Sequence, residues 1–141
     1  MISVLPIHII SIDNDGFHLL TQIVLNRKKA TVIIDTGASR TVFDKTRIKH
    51  FVKTRSTKIR DKLSTGLGTN SMESHHVKVS SLRIGDIKLK DYFTVLLDLK
   101  HVNTSYAQLG LPQIDGVLGS DILHEYNAVI DFKKRELRLE G

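Results

Sequence analysis

The residues best suited to take part in a chemical reaction form one short string, in which an apolar run leads into small and polar residues. Its sequence is Val32-Ile33-Ile34-Asp35-Thr36-Gly37-Ala38-Ser39. The unbroken apolar run predicts a buried strand that delivers Asp35 to an interior position at the strand end. Gly37 lets backbone approach closely, and the hydroxyls of Thr36 and Ser39 can hold the hydrogen-bond geometry of the carboxylate. Asp35 is therefore the candidate for acid or base chemistry.

The chain that must position this string is mainly β. Apolar residues recur at period two or in short runs rich in Val, Ile and Leu, and turn residues separate these runs. Asp44 can cap one short helical turn over residues 44 to 51. Before the string, we expect strands over residues 4 to 12, 17 to 26 and 30 to 34.

In the second half of the chain, the sequence predicts a long hairpin followed by shorter elements. The hairpin spans residues 58 to 82, and the glycines at its tip, residues 64 to 70, permit positive φ. Ser120 or Asp121 can cap a short helix over residues 120 to 126. Residues 99 to 113 are expected to form a loop. Further strands are expected over residues 87 to 97, 128 to 132 and 136 to 140, the last alternating as an edge or interface strand does.

Composition restricts the possible classes of protein. The 141 residues suit a single domain, 1 to 141, that can bury a core without disulfides or metals. Cys is absent, which excludes disulfides, zinc-thiolate sites and cysteine nucleophiles. Residues 1 to 25 contain neither a secretory leader nor a spanning helix, and no other stretch is long enough to span a membrane. We therefore expect a cytoplasmic protein without a membrane partner.

The formal charge of +6 is concentrated in one segment, residues 45 to 62. A charged run is commonly a solvated loop, although its field could attract phosphates or acidic peptides. Phe51 alone adds an aromatic ring there, so stacking on single-stranded nucleic acid is not expected. Against Asp61, the segment contains eight cations: Lys45, Arg47, Lys49, Lys53, Arg55, Lys58, Arg60 and Lys62.

The string around Asp35 resembles the active-site loop of the aspartic peptidases, in particular the retropepsin-like group of retroviruses and their cellular and bacterial relatives. A second element, Asp115-Gly116-Val117-Leu118-Gly119, resembles the later apolar-apolar-Gly element of that family. The glycines at residues 64 to 70 lie between the two, where the family has its flap. The resemblance covers residues 6 to 139. It implies a mainly β, retropepsin-like single-lobe acid-protease barrel with a flap hairpin and one short helix near the C-terminus.

The resemblance implies an aspartic endopeptidase that hydrolyses peptide bonds as a homodimer. The family mechanism needs two carboxylates that share one proton, because like charges a few ångströms apart do not both ionise easily. One carboxylate accepts a proton from the attacking water, and its protonated partner donates a hydrogen bond to the scissile carbonyl. The chain has one Asp-Thr-Gly, so a second copy must supply the other Asp35. No metal or other cofactor is implied.

The resemblance also assigns supporting roles. Thr36 would brace the loop against its partner, and Gly37 would place backbone near the substrate. Substrate would be covered by a flap formed by Gly66, Leu67 and Gly68. The site would be supported by the structural residues Gly116, Val117, Leu118 and Gly119. Candidate lining residues are Val42, Leu67 and Val117. Arg40, directly after the motif, is expected to point outward.

These residues have alternative interpretations. Asp35 could be a structural carboxylate that stabilises a turn. Asp115 could be a second catalytic Asp within one chain, but it lacks a Thr-Gly-Ala-Ser sequel. His124-Glu125 does not begin a zinc helix, because residue 128 is Ala. His75 and His76 are adjacent on a strand and so point to opposite faces. Two other functions remain open: a catalytically silent dimeric peptide-binding module, and a nucleic-acid or membrane-surface binder that uses residues 45 to 62.

Overall fold

The computed structural model describes residues 1–53, 57–60 and 73–141. The expected flap residues Gly66, Leu67 and Gly68 lie outside them. Within the described part, the helices are a 3₁₀ helix at Arg47–His50, α1 at Lys100–Gln108 and α2 at Ser120–Glu125. The strands are β1 Ile2–Pro6, β2 His8–Ser11, β3 Phe17–Leu25, β4 Lys28–Ile34, β5 Val42–Asp44, β6 Thr57–Arg60, β7 Glu73–Ile84, β8 Ile87–Leu97, β9 Gly116–Leu118, β10 Val129–Asp131 and β11 Glu136–Glu140.

One sheet closes on itself to form a barrel. Its hydrogen-bonded order is β2-β3-β4-β9-β5-β8-β7-β6, and β3 also pairs with β7. Strands β3, β4, β9, β5, β8 and β7 therefore form a closed ring, in which every strand has a neighbour on both sides. Apolar side chains from these strands fill the interior, among them Ile23, Val32, Phe43, Val79 and Leu118. The mainly β barrel expected from the sequence is confirmed.

Strand β4 leads to Asp35 and is covered on both faces. Val32 and Ile34 belong to the main hydrophobic core. Ile33, on the other face, packs against a second apolar cluster that contains Tyr106. Burial on both faces explains why the sequence before Asp35 is continuously apolar rather than alternating.

The ends of the chain form a separate three-stranded sheet of order β1-β11-β10. The single strand expected over residues 4 to 12 is divided at Ile7, because β1 pairs with β11 whereas β2 pairs with β3. Strand β11 is the middle strand of this sheet rather than an edge strand, and Leu137 and Leu139 are fully buried. Its period-two pattern therefore reflects packing against the core.

Residues 99 to 113 contain α1, so the expectation of a loop there is wrong. The segment contains His, Asn, Thr and Ser, which are weak helix formers, and local propensity does not predict a helix. Tertiary contacts stabilise it instead. Tyr106 is 2% exposed. Asn103 Nδ2 donates to the carbonyl of Ile114 at 3.0 Å, and Asn103 Oδ1 accepts the Ile114 N–H at 2.6 Å.

Other local predictions agree with the structure. Asp44 Oδ2 accepts the backbone N–H of Thr46 and of Arg47 at 3.2 and 2.9 Å, which satisfies donors at the start of the 3₁₀ helix. Strands β6 and β7 pair in an antiparallel manner, as the two arms of the expected hairpin require. Helix α2 follows Gly119 directly, where the short helix was expected.

Candidate active site

Asp35 lies where two parallel strands end side by side. Strands β4 and β9 pair with Ile34 opposite Leu118. The Asp35 N–H extends this ladder by donating to the Leu118 carbonyl at 3.0 Å. The two sequence motifs, far apart in the chain, are thus brought together. Asp35 is exposed on the single chain, so the interior position expected for it is not reached within one copy.

The carboxylate of Asp35 is held by its own loop. The backbone N–H of Gly37 donates to Asp35 Oδ1 at 2.9 Å, and the N–H of Ala38 donates to the Asp35 carbonyl at 3.2 Å. A Cβ atom at position 37 would lie 3.3 Å from Asp35 Oδ1, so glycine permits this close approach. Thr36 and Ser39 are exposed. The carboxylate is therefore fixed by backbone rather than by the hydroxyls expected to hold it.

The glycines of the second motif allow backbone segments to pack closely. A Cβ atom at Gly116 would lie 2.6 Å from Phe43 Cδ1. At Gly119 it would lie 2.6 Å from the carbonyl carbon and oxygen of Arg40. Neither distance accommodates a side chain. Both glycines are therefore required by the packing of this motif against the segment that follows the Asp35 loop.

Asp115 is a structural carboxylate. Its Oδ1 accepts the Arg47 Nε–H at 2.6 Å, its Oδ2 accepts the Thr31 N–H at 2.8 Å, and its side chain is 7% exposed. Asp115 immediately precedes β9, whereas Asp35 follows the parallel strand β4, so the two carboxylates lie at opposite ends of the paired strands. Asp115 is thus excluded as a dyad partner of Asp35 within one chain.

Thr41, which was not predicted as a site residue, connects the two motifs. Its Oγ1 accepts the N–H of Gly119 at 3.0 Å. Its own N–H and Oγ1–H both donate to Asp121 Oδ1, at 2.9 and 2.8 Å. Asp121 or Ser120 was expected to cap α2, but neither side chain makes a capping hydrogen bond. No local pattern reveals these contacts, because the partners are 78 to 80 residues apart.

The described residues contain no group of three or more His, Asp or Glu side chains arranged to hold a metal ion. In the same residues, none of the helices has the length and apolar character needed to cross a bilayer. The exposed Asp35 carboxylate, held by the Gly37 N–H, can support acid or base chemistry. A carboxylate with one oxygen fixed by an N–H can exchange a proton with a group that reaches its other oxygen.

Comparison with known proteins agrees with the geometry of the site. A family model described as aspartyl protease matches residues 21–122, which include both motifs and well over half of the chain. A search of curated proteins finds no match.

Two crystal structures share the fold. One is a retropepsin-like aspartic protease from Rickettsia conorii, at TM-score 0.59 and 21% identity, covering 99% of this chain and 91% of that chain. The other is the retroviral protease-like domain of Ddi1 from Leishmania major, at TM-score 0.58 and 13% identity, covering 88% of this chain and 89% of that one. The chain therefore belongs to the aspartyl protease family and has a retropepsin-like fold.

Proposed function

We propose that this protein is an aspartic endopeptidase that acts as a homodimer on peptide or protein substrates. Asp35 and the partner's Asp35 would share one proton. One carboxylate accepts a proton from a water that attacks the scissile carbonyl. The other donates a hydrogen bond to the carbonyl oxygen, and no acyl-enzyme forms. This mechanism requires neither a metal ion nor another cofactor.

The observation that carries the proposal is the state of Asp35 in the single chain. Its carboxylate is exposed, yet its loop is fixed by the hydrogen bonds from Gly37 to Oδ1 and from Asp35 to Leu118. A held but uncovered carboxylate suits a two-fold interface, because the same loop of a second copy can meet it and complete the pair. Thr36, Ala38 and Ser39 would then form the loop surface around the dyad.

The substrate would bind beside Asp35 along an apolar row. Val42 and Val117 lie opposite each other in β5 and β9. Val117 directly precedes Leu118, whose carbonyl accepts the Asp35 N–H. Side chains of an extended peptide could pack on this row, with Gly66, Leu67 and Gly68 covering the peptide from the other side. Residues 1 to 141 would form a single peptidase domain.

The test compares wild type with Asp35→Asn on a diverse peptide library from about pH 3 to 7, because dyads titrate over a wide range. Cleavage sites are read by mass spectrometry. Asp15→Asn, a charge-matched change in the exposed β2–β3 turn, is the control. Sedimentation and circular dichroism first test whether all three proteins are dimeric and folded.

Cleavage by wild type and Asp15→Asn that is lost in Asp35→Asn supports the peptidase. Equal cleavage by all three proteins would come from a contaminant or another site and would contradict the proposal. Dimers that bind peptides without cleaving them would instead favour the silent peptide-binding module.

A further inference from the structure

Thr41 is a buried hydrogen-bond hub beside the Asp35 loop. The residue is 1% exposed, and its N–H, hydroxyl and carbonyl all have partners. Its Oγ1 accepts from Gly119 N–H, so its own hydroxyl proton is directed to Asp121 Oδ1. Its carbonyl accepts from Thr94 Oγ1–H at 3.3 Å. The hydrogen bonds therefore run in one direction, from Gly119 through Thr41 to the Asp121 carboxylate.

Asp121 receives a third donor from strand β8. The hydroxyl of Tyr92 donates to Asp121 Oδ2 at 3.3 Å. Burial raises the pKa of Tyr92 well above its usual value, and the adjacent Asp121 carboxylate raises it further. Tyr92 therefore stays protonated and remains a donor. A carboxylate, which only accepts hydrogen bonds, suits a position where three donors converge.

The catalytic loop, residues 35 to 41, is held by strand β9 at its first end and by Thr41 at its far end. At the first end, Asp35 donates to Leu118 at 3.0 Å. Midway, the Ser120 N–H donates to the carbonyl of Ala38 at 2.7 Å. At the far end, Thr41 is bound to Asp121. Because Ser120 and Asp121 are the first residues of α2, this helix and the catalytic loop are fixed to each other.

We propose that Asp121, acting through Thr41, is a positioning residue for Asp35, an inference that rests on the proposed peptidase function. It does not touch the reacting atoms. By accepting from Thr41 it fixes where the loop ends, and so where the two Asp35 carboxylates stand relative to each other. A dyad that shares a proton is sensitive to this spacing, because misplacement of a catalytic group by about 1 Å can cost 100-fold in rate.

Two pairs of variants separate this role from general stability. Asp121→Ala removes the acceptor, whereas Asp121→Asn keeps an oxygen for Thr41 and an amide that can donate to the Tyr92 hydroxyl oxygen. Thr41→Val removes the hydroxyl in a similar volume, whereas Thr41→Ser keeps it. Asn103→Ala is the control, since it removes two hydrogen bonds at α1, away from the catalytic loop.

Steady-state kinetics on a cleaved library peptide supply the first readout. Asp121→Ala and Thr41→Val should lower kcat about 10- to 100-fold, with KM changed less than about 3-fold, because substrate contacts are retained. Asp121→Asn, Thr41→Ser and Asn103→Ala should stay within about 3-fold of wild type in kcat. If kcat falls equally in Asn103→Ala, the loss in the Asp121 and Thr41 variants comes from lower overall stability, and the proposal is overturned.

Amide hydrogen exchange supplies a readout that does not need activity. It follows the N–H groups of Asp35 and Ser120, whose acceptors the substitutions leave intact. Exchange at both should accelerate about 10-fold or more in Asp121→Ala and Thr41→Val, but not in the conservative variants. Unchanged exchange would refute the positioning role, whether or not the wild type cleaves peptides. Accelerated exchange in a wild type without peptidase activity would leave the loop assignment standing while the proposed function fails.

Discussion

Arg47 and Asp115 form an ion pair in which the guanidinium Nε lies 2.6 Å from a carboxylate oxygen that is almost inaccessible to water. Arg47→Met leaves this carboxylate without its cation. We expect the free energy of unfolding to fall by about 3 kcal/mol, because an uncompensated buried charge is costly. Lys49→Met, an exposed neighbour on the same 3₁₀ helix, should change it by less than about 0.5 kcal/mol. Urea denaturation measures both values, and equal effects would contradict a structural role for the pair.

The Gly119→Ala variant should be strongly destabilised. Its new Cβ atom would lie 2.6 Å from the carbonyl carbon and oxygen of Arg40, which are backbone atoms and move only with the chain. We expect a loss of about 2–3 kcal/mol, as for other overpacked sites. Thermal unfolding followed by circular dichroism tests this. A melting temperature equal to that of wild type would contradict the prediction, because the backbone at Arg40 would then move away from residue 119 at little cost.

Gly37→Ala should affect activity more than stability. Its Cβ atom would lie 3.3 Å from Asp35 Oδ1, a side-chain atom that can shift by a few tenths of an ångström. The shift would displace the carboxylate from the N–H that holds it, and we expect kcat on a cleaved peptide to fall about 10-fold. The melting temperature should stay within a few degrees of wild type. A large loss of stability with full specific activity would contradict the prediction and show that Gly37 is needed for folding rather than for activity.

Tyr106 should make the fold sensitive to alkali. Burial raises the pKa of Tyr106 to about 12, above the usual value of 10.0. The folded state therefore retains the phenolic proton that the unfolded state releases. This contribution to stability is complete below about pH 10 and is lost as the pH rises toward 12. Tyr106→Phe cannot ionise, so its stability should fall less over that range.

Urea denaturation of both proteins at pH 9, 10 and 11 is the measurement for Tyr106. At pH 9 the variant also lacks the hydrogen bond between Tyr106 and His18, whose atoms lie 2.6 Å apart, so only the slope against pH is compared. Parallel slopes for the two proteins would contradict the prediction.

Helix α1 should depend on Asn103 rather than on its own sequence. Asn103→Ala leaves the N–H and carbonyl of the fully buried Ile114 without their partner. We expect a loss of about 1–3 kcal/mol in unfolding free energy. A synthetic peptide of residues 99–111 should show little helicity by circular dichroism, because isolated helices of this length are marginal even with good helix formers. A helical peptide would indicate that local propensity suffices.

The strand before Asp35 was predictable because its cause is local. Val32, Ile33 and Ile34 are consecutive, and burial of both faces of a strand produces such a run. The hairpin arms and α2 were predictable for similar reasons. The barrel followed from the order of two motifs that resemble those of a known family, rather than from periodicity.

Three features were not predictable because they depend on partners far away in the sequence. Helix α1 is specified by Ile114 and the second apolar cluster, not by its own composition. The position of β11 in the middle of its sheet requires β1, from the other end of the chain. The contact of Thr41 with Asp121 spans 80 residues and involves residue types that are common on any surface. Sequence therefore located the carboxylate but not what fixes it.

The contacts that hold the Asp35 loop also determine when it can form. Thr41 binds partners 78 and 80 residues further along the chain. Closing such loops costs entropy before any contact is made, and folds rich in non-local strand pairs form slowly. During synthesis, Asp35 emerges from the ribosome long before Asp121. The nascent chain thus has the Asp35 motif without an assembled Asp35 loop. If the protein is the peptidase proposed above, cleavage starts only after α2 has been synthesised and folded into place.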